Sequence, residues 1–218
     1  MAKVDLDLTR LQFTEASPRK LDELTDETLF RRLDQHLPKI DNSGAIWVFR
    51  MVAITGIRGN GCLSLDRDAF DVFLGSGIAY GGWKMENRIR YWDSKRSRPA
   101  FASQTIRDWY EQWQLWDIPD ELTDWWMPCD QRPTDEQLQK ANTLLNGFSS
   151  MLRRKVHPEA SKSIGFRALR HAATARLLKA ELSLLDVAEI TSSSVAEIER
   201  TYSDMFRHTA ASRAASRL

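Results

Sequence analysis

The sequence predicts a mainly α fold with a small antiparallel β-sheet. Three observations carry that expectation. Apolar residues recur at three- and four-residue intervals through most of the chain, the period of a helix buried along one face. Residues 70–101 instead gather Val, Ile, Phe, Tyr and Trp around Gly75, Gly77, Gly81 and Gly82, the mark of short strands and turns. And 218 residues, 42% hydrophobic and 28% charged, are enough to bury a core without disulfide or metal staples.

The elements follow in order. Residues 1–18 have weak periodicity and read as an arm. Residues 25–37 place Leu29, Leu33 and Leu37 on one helical face, with Pro38 as the stop. Residues 45–55 (AIWVFRMVAIT) are apolar nearly all round, so a buried helix is expected; Gly56, Gly59 and Gly61 then break it. Arg88-Ile-Arg-Tyr-Trp, Asp93-Ser-Lys-Arg-Ser and Arg98-Pro-Ala-Phe read as strand, turn, strand, with Pro99 at an edge. Residues 103–116 align Ile106, Trp109, Trp113 and Trp116, a stripe read as core. Residues 121–133 read as an irregular linker bearing Trp125 and Trp126. Thr134 with Gln137 forms a capping box that opens a helix to about residue 154. Residues 166–180, 184–190 and 195–202 are three short helices, the last opened by Ser194 and Glu197. Residues 206–218 are a tail that could dock on a neighbouring molecule. The expected organisation is thus an arm (1–18), one domain (19–205) and a tail (206–218).

Several function classes drop out. Two cysteines, Cys62 and Cys129, are too few for a disulfide framework and lack zinc-site spacing. They suit a reducing cytoplasm, each as a small buried hydrophobe. The N-terminus lacks the apolar run of a signal peptide, and no stretch approaches the roughly 20 apolar residues of a membrane span. No metal site and no membrane partner are expected. His157 and His208 have no ligand partner in sequence.

The net charge of +1 hides two basic segments. Between residues 88 and 107, Arg88, Arg90, Lys95, Arg96, Arg98 and Arg107 face one acid, Asp93. Between residues 153 and 179, eight bases, including Arg153, Arg154, Lys155 and Lys162, face one acid, Glu159. The stretch between them is acidic. The two segments are candidate DNA-phosphate contacts if the fold brings them together; taken singly, each also fits a solvated helix face.

Arg167 and Arg170 stand three apart in Phe166-Arg-Ala-Leu-Arg-His, and so share a helix face. Tyr202 follows two short helices later. This segment resembles the C-terminal half of the tyrosine recombinases, the phage integrase family. The family shows His-x-x-Arg, then Leu-Gly-His, then Tyr at a fixed offset. Aligned on it, the second family arginine falls on Arg170, with His171 as the histidine that commonly follows it, and the nucleophile falls on Tyr202. Thr55-Gly-Ile-Arg-Gly-Asn-Gly-Cys-Leu-Ser-Leu resembles the block that carries the first arginine, which falls on Arg58. The family's sheet carries a lysine in its second turn. Here that is Lys95, with Lys84 and Arg96 as alternatives. The resemblance covers about residues 20 to 205, without the family's usual N-terminal core-binding domain.

The resemblance implies a recombinase catalytic-domain-like fold and a site-specific recombinase or integrase. It would cleave and rejoin double-stranded DNA through a 3′-phosphotyrosyl link, assemble with itself on paired sites and work in the cytoplasm at the nucleoid. The residue types suit that chemistry. Two guanidiniums can hold the non-bridging oxygens of a phosphodiester and stabilise a five-coordinate transition state. A phenol ionises near pH 10, so it needs a cationic site and a base to attack phosphorus. A lysine can protonate the departing 5′-oxygen. The phosphotyrosyl bond conserves the energy of the cut strand, so no cofactor, metal or ATP is implied.

Three positions depart from the family. Arg167 stands for a histidine, and an arginine binds phosphate but does not act as a base. Ser193 stands for the histidine of Leu-Gly-His and offers a shorter hydroxyl. Gly61 stands for a glutamate. Each residue also has a structural reading: Arg58 as a cap or pair, Lys95 as a turn lysine, Arg167 as a surface charge, Ser193 as a helix cap, Tyr202 as packing. His171, one residue off the arginine face, is read as structural. Three rivals remain: a DNA-binding regulator or accessory factor that has lost the chemistry, a type IB topoisomerase-like enzyme, and a protein-interaction domain that uses the tryptophan stripe.

Overall fold

A computed structural model of the chain describes residues 26–65, 88–92, 97–101, 104–129, 131–179, 182–191 and 193–202. The expected arm and tail lie outside them, as do most of the glycine-rich region and the turn that holds Lys95 and Arg96.

Helix α1 (Asp26–His36) buries Leu29, Phe30 and Leu33 and passes into a 3-10 turn, Leu37–Ile40. The α-helix ends at His36, in keeping with the stop expected at Pro38. Pro38 sits in the first turn of the 3-10 segment, where a missing N–H goes unused. Helix α2 (Ser43–Thr55) is the central element, with ten of its residues buried, from Gly44 to Thr55. Local and distant side chains together cap its ends. At the N-terminus, Asn42 Oδ1 accepts from the Ala45 N–H at 2.7 Å. Glu121 Oε1 accepts from the Gly44 N–H at 3.2 Å and from the Ser43 hydroxyl. The Ser43 bond, more than any other contact, holds the Glu121 carboxyl below its usual range. At the C-terminus, Gly56 turns left-handed (φ 71°). Arg176 Nη2 there donates to the Ala53 and Ile54 carbonyls at 3.1 and 2.7 Å.

Gly59–Cys62 forms a short helix, α3, where the glycines suggested only a break. The expected linker is partly ordered as a 3-10 segment, Asp120–Trp125. Just beyond it, Trp126 Nε1 donates to the Leu65 carbonyl at 3.0 Å and the Met127 N–H to the Leu63 carbonyl at 2.7 Å. Helix α4 (Gln104–Gln112) turns Trp109 and Tyr110 inward, followed by Trp113. Phe30 meets the Trp109 and Trp113 rings at centroid distances of 4.7 and 5.2 Å. The stripe belongs to the core, as the sequence suggests, although Ile106 lies outside the described side chains.

Helix α5 (Asp135–Lys155) opens with the expected capping box at Thr134 and Gln137. It buries Ala141, Leu145, Phe148 and Leu152, one face of a 3.6-residue period. Helices α6 (Pro158–Ser163) and α7 (Phe166–Lys179) follow, and α7 packs along α2. Helix α8 (Leu184–Thr191) and the helical residues 195–202, called α9, complete the order. With the end of α7 they enclose a second, smaller cluster: Ala175, Leu177, Leu178, Val187, Ala188, Ile198 and Tyr202.

The expected fold class is corrected. Every regular element whose side chains are described is helical, and no strand or sheet stands among those residues. Strand pairing reduces to a backbone ribbon, β1 (Arg88–Trp92) antiparallel to β2 (Ser97–Phe101), with Arg90 opposite Pro99. The physical reason is that β-branched and aromatic residues suit a half-buried pleated surface but do not create one. Two five-residue strands are marginal alone, so the cohesion of this fold comes from helix packing. Among the described residues, no helix is long and apolar enough to cross a membrane.

Candidate functional site

The site is built where the C-terminus of α2, the first turns of α7 and the end of α8 meet. Gly56 makes this approach possible. A Cβ there would lie 2.8 Å from Ala173 Cβ on α7, and the left-handed backbone disfavours any side chain. The Gly56 carbonyl then accepts from Arg170 Nη1 at 2.9 Å. Arg170 Nη2 donates to Ser193 Oγ at 3.0 Å and to the Thr191 carbonyl. One half-buried guanidinium therefore ties the turn before Arg58 to Thr191 and Ser193 at the end of α8.

Arg58 caps α3 two residues beyond Gly56, with an exposed side chain. Tyr202 arrives from α9 and is buried, at 4% exposure. Its hydroxyl oxygen stands 2.6 Å from His171 Nδ1. The hydroxyl also donates to the His171 carbonyl at 3.3 Å. Burial raises the phenol pKa above its ordinary value; a Thr174 hydrogen bond and the Arg170 charge oppose this in part. Arg167, exposed on α7, donates from Nε to His171 Nε2 at 3.3 Å.

No protein-family model, curated protein or solved structure matches this chain. What the site can do follows from its own chemistry.

The expected residues fall into three groups. Arg170, Ser193 and the Arg58 segment converge, and Tyr202 joins α7 one residue along through His171, with Arg167 behind it. Ser193 faces Arg170 as an acceptor. Lys95, Arg96, Lys84 and His208 lie outside the described residues. The hairpin that flanks Lys95 nevertheless runs beside the site, with β1 along α3 and β2 along α8. Arg88, Arg90 and Arg98 stand on its strands, and their side chains also lie outside the described residues.

The other expected DNA contacts are more dispersed. Arg153, Arg154 and Lys155 are exposed in the last turn of α5, where cations also favour the helix dipole. Arg153 donates to Ser150 Oγ at 3.3 Å. Lys162 pairs with Glu159 at 3.1 Å on α6. His157 caps α6, its Nδ1 accepting from the Glu159 N–H at 3.4 Å. Cys62 is buried, which pushes its thiol pKa up, and neither cysteine is in a disulfide.

His171 is the residue that sequence reasoning undervalued. Read against Arg170 it falls off the arginine face. Read against Arg167 it is at i+4, one turn above on the same face, and that spacing was the available signal.

Proposed function

We propose that this chain acts on DNA phosphodiesters as a recombinase-type strand-cleaving and rejoining enzyme, with Tyr202 as the nucleophile. The single observation behind this reading is the Arg170 hydrogen bond to Gly56 O, which draws the two arginine blocks to one place beside the tyrosine helix. In the reaction the Tyr202 oxygen bonds to phosphorus and the bond to the 5′-oxygen breaks. The phenol gives up its proton and the departing 5′-oxygen gains one, for which Lys95 is the candidate donor. Arg58 and Arg170 would stabilise the charge on the non-bridging oxygens. The DNA partner, self-assembly on paired sites and a nucleoid location belong to this proposal.

A second reading is a DNA-binding factor that does not cut. The observation that favours it is the burial of Tyr202, together with an Arg170 already held by three protein acceptors. The protein-interaction reading loses its surface, because Trp113 is buried and Trp109 and Trp116 pack against the core.

The deciding experiment is covalent trapping. The protein is mixed with fragmented genomic DNA from its source and denatured, and the DNA that stays attached is counted. Adduct from the wild type and none from Tyr202→Phe supports the cleaving enzyme. DNA retained before denaturation, with no adduct after it, selects the binding factor. Relaxation of supercoiled plasmid without site preference selects a topoisomerase.

A further inference from the structure

Arg167, His171 and Tyr202 form a chain of hydrogen bonds whose direction is fixed by what each group can do. An arginine side chain only donates. Its Nε–H faces His171 Nε2 at 3.3 Å, so Nε2 accepts and the proton of the neutral ring sits on Nδ1. Nδ1 lies 2.6 Å from the Tyr202 oxygen, so it donates to that oxygen. The hydrogen of the phenol itself then goes to the His171 carbonyl, in agreement with the 3.3 Å bond there. A histidine with its proton on Nδ1 cannot take another at that atom. The ring that touches the phenol is therefore held in the one neutral form that is not a base toward it.

We infer that Arg167 is a positioning residue that acts through His171, denying the Tyr202 hydroxyl a proton acceptor at Nδ1 until a phosphodiester draws Arg167 away. This rests on the phosphodiester reading above. Arg167 is exposed, so a backbone phosphate can reach it. A phosphate offers the guanidinium a charged, two-pronged acceptor, which a single ring nitrogen does not.

With Arg167 turned to phosphate, Nε2 takes a proton from water while Nδ1 releases its own, and the ring stays neutral. Nδ1 now accepts the phenol proton as the Tyr202 oxygen bonds to phosphorus. The bond to the 5′-oxygen breaks and that oxygen takes the proton assigned to it in the phosphodiester reading, its donor being restored from solvent. The imidazolium returns its proton to solvent, so the proton count is unchanged. Arg167, which as an arginine cannot be a base, thereby controls one.

The test reads the His171 ring directly by nitrogen NMR on the full chain labelled with 15N-histidine. Tyr202→Phe identifies the His171 signals by moving them alone. In the free wild type, Nδ1 should give the protonated-type signal and Nε2 the unprotonated one. Arg167→Met should lose that preference and Arg167→Lys, which keeps a donor, should retain most of it. An Nε2-protonated ring in the free wild type, or an unchanged ring in Arg167→Met, would overturn the inference.

Addition of a short DNA duplex at saturation should move the wild-type ring to the Arg167→Met form. A duplex that binds and leaves the ring unchanged overturns the release step. A duplex that does not bind overturns the DNA reading and the release with it, while the Arg167 comparison still decides the lock.

Discussion

Arg170 Nη1 and the Gly56 carbonyl meet at 2.9 Å across a separation of 114 residues. Around that bond the two helices of the site, α2 and α7, are held at close approach. The same guanidinium reaches Ser193 and the Thr191 carbonyl, so its planar fork serves three acceptors from two segments.

Arg170→Lys should not substitute for arginine. A lysine presents a single ammonium and cannot span acceptors arranged for a fork. A stability loss of about 2 kcal/mol is expected, since hydrogen bonds from a charged group contribute about 1.5–3 kcal/mol. A urea melt of the two proteins measures it, and equal midpoints would mean that the three bonds contribute nothing net.

Gly56→Ala should destabilise the protein by about 1–2 kcal/mol from the left-handed backbone alone. The added methyl would also press on Ala173 Cβ at 2.8 Å, forcing α2 and α7 apart. DNA affinity should fall along with thermal stability. If the melting temperature drops and DNA binding is untouched, Gly56 serves the fold and not the site.

Tyr202 makes stability depend on alkaline pH. Burial raises its folded pKa above the ordinary value of about 10.0. The folded state thus favours the neutral phenol. That contribution is fully present below about pH 10 and is lost as pH rises through the folded pKa. Denaturation midpoints taken from pH 8 to 11 should fall less steeply in Tyr202→Phe than in the wild type. The variant should also lose about 1 kcal/mol at neutral pH, because it leaves His171 Nδ1 without the phenol oxygen.

Asp34 joins α1 to the buried aromatic cluster. Its Oδ1 accepts from Arg50 Nη2 at 2.9 Å and from Trp113 Nε1 at 2.8 Å, while the Arg50 cation lies 5.0 Å from the Trp113 ring centre. Asp34→Ala should cost about 2 kcal/mol, less than the loss of one partner of a fully buried pair because the site is partly solvated. Tryptophan fluorescence through a guanidinium melt reports it, and no change in midpoint would make the pair a surface ornament.

What could be read from residues alone was local. The Thr134 and Gln137 capping box spans four residues, so nothing distant could override it. The α2 segment is apolar on every side, and only burial satisfies such a helix. The strand, turn, strand reading of residues 88–101 matches the ribbon of Arg88–Trp92 and Ser97–Phe101, and only its extension to a sheet as part of the fold class failed. The region's composition recorded a preference for pleated surface, but a sheet needs non-local partners, and composition does not supply them. His171 was read as structural, and its contact with Tyr202 lay out of view because the two stand 31 residues apart in the chain.

The sequence by itself determined the longer helices, the Thr134 and Gln137 cap, the buried stripe and the order in which Arg58, Arg170 and Tyr202 occur. These follow from periodicity and from side chains that bond within a turn or two. Only the tertiary structure decided that Arg170 closes on Gly56 and Ser193, that Arg176 caps α2, and that Arg167 reaches Tyr202 through His171. Hydrogen-bond direction between distant groups depends on packing to within a few tenths of an ångström, and packing is set by the whole core rather than by any one segment.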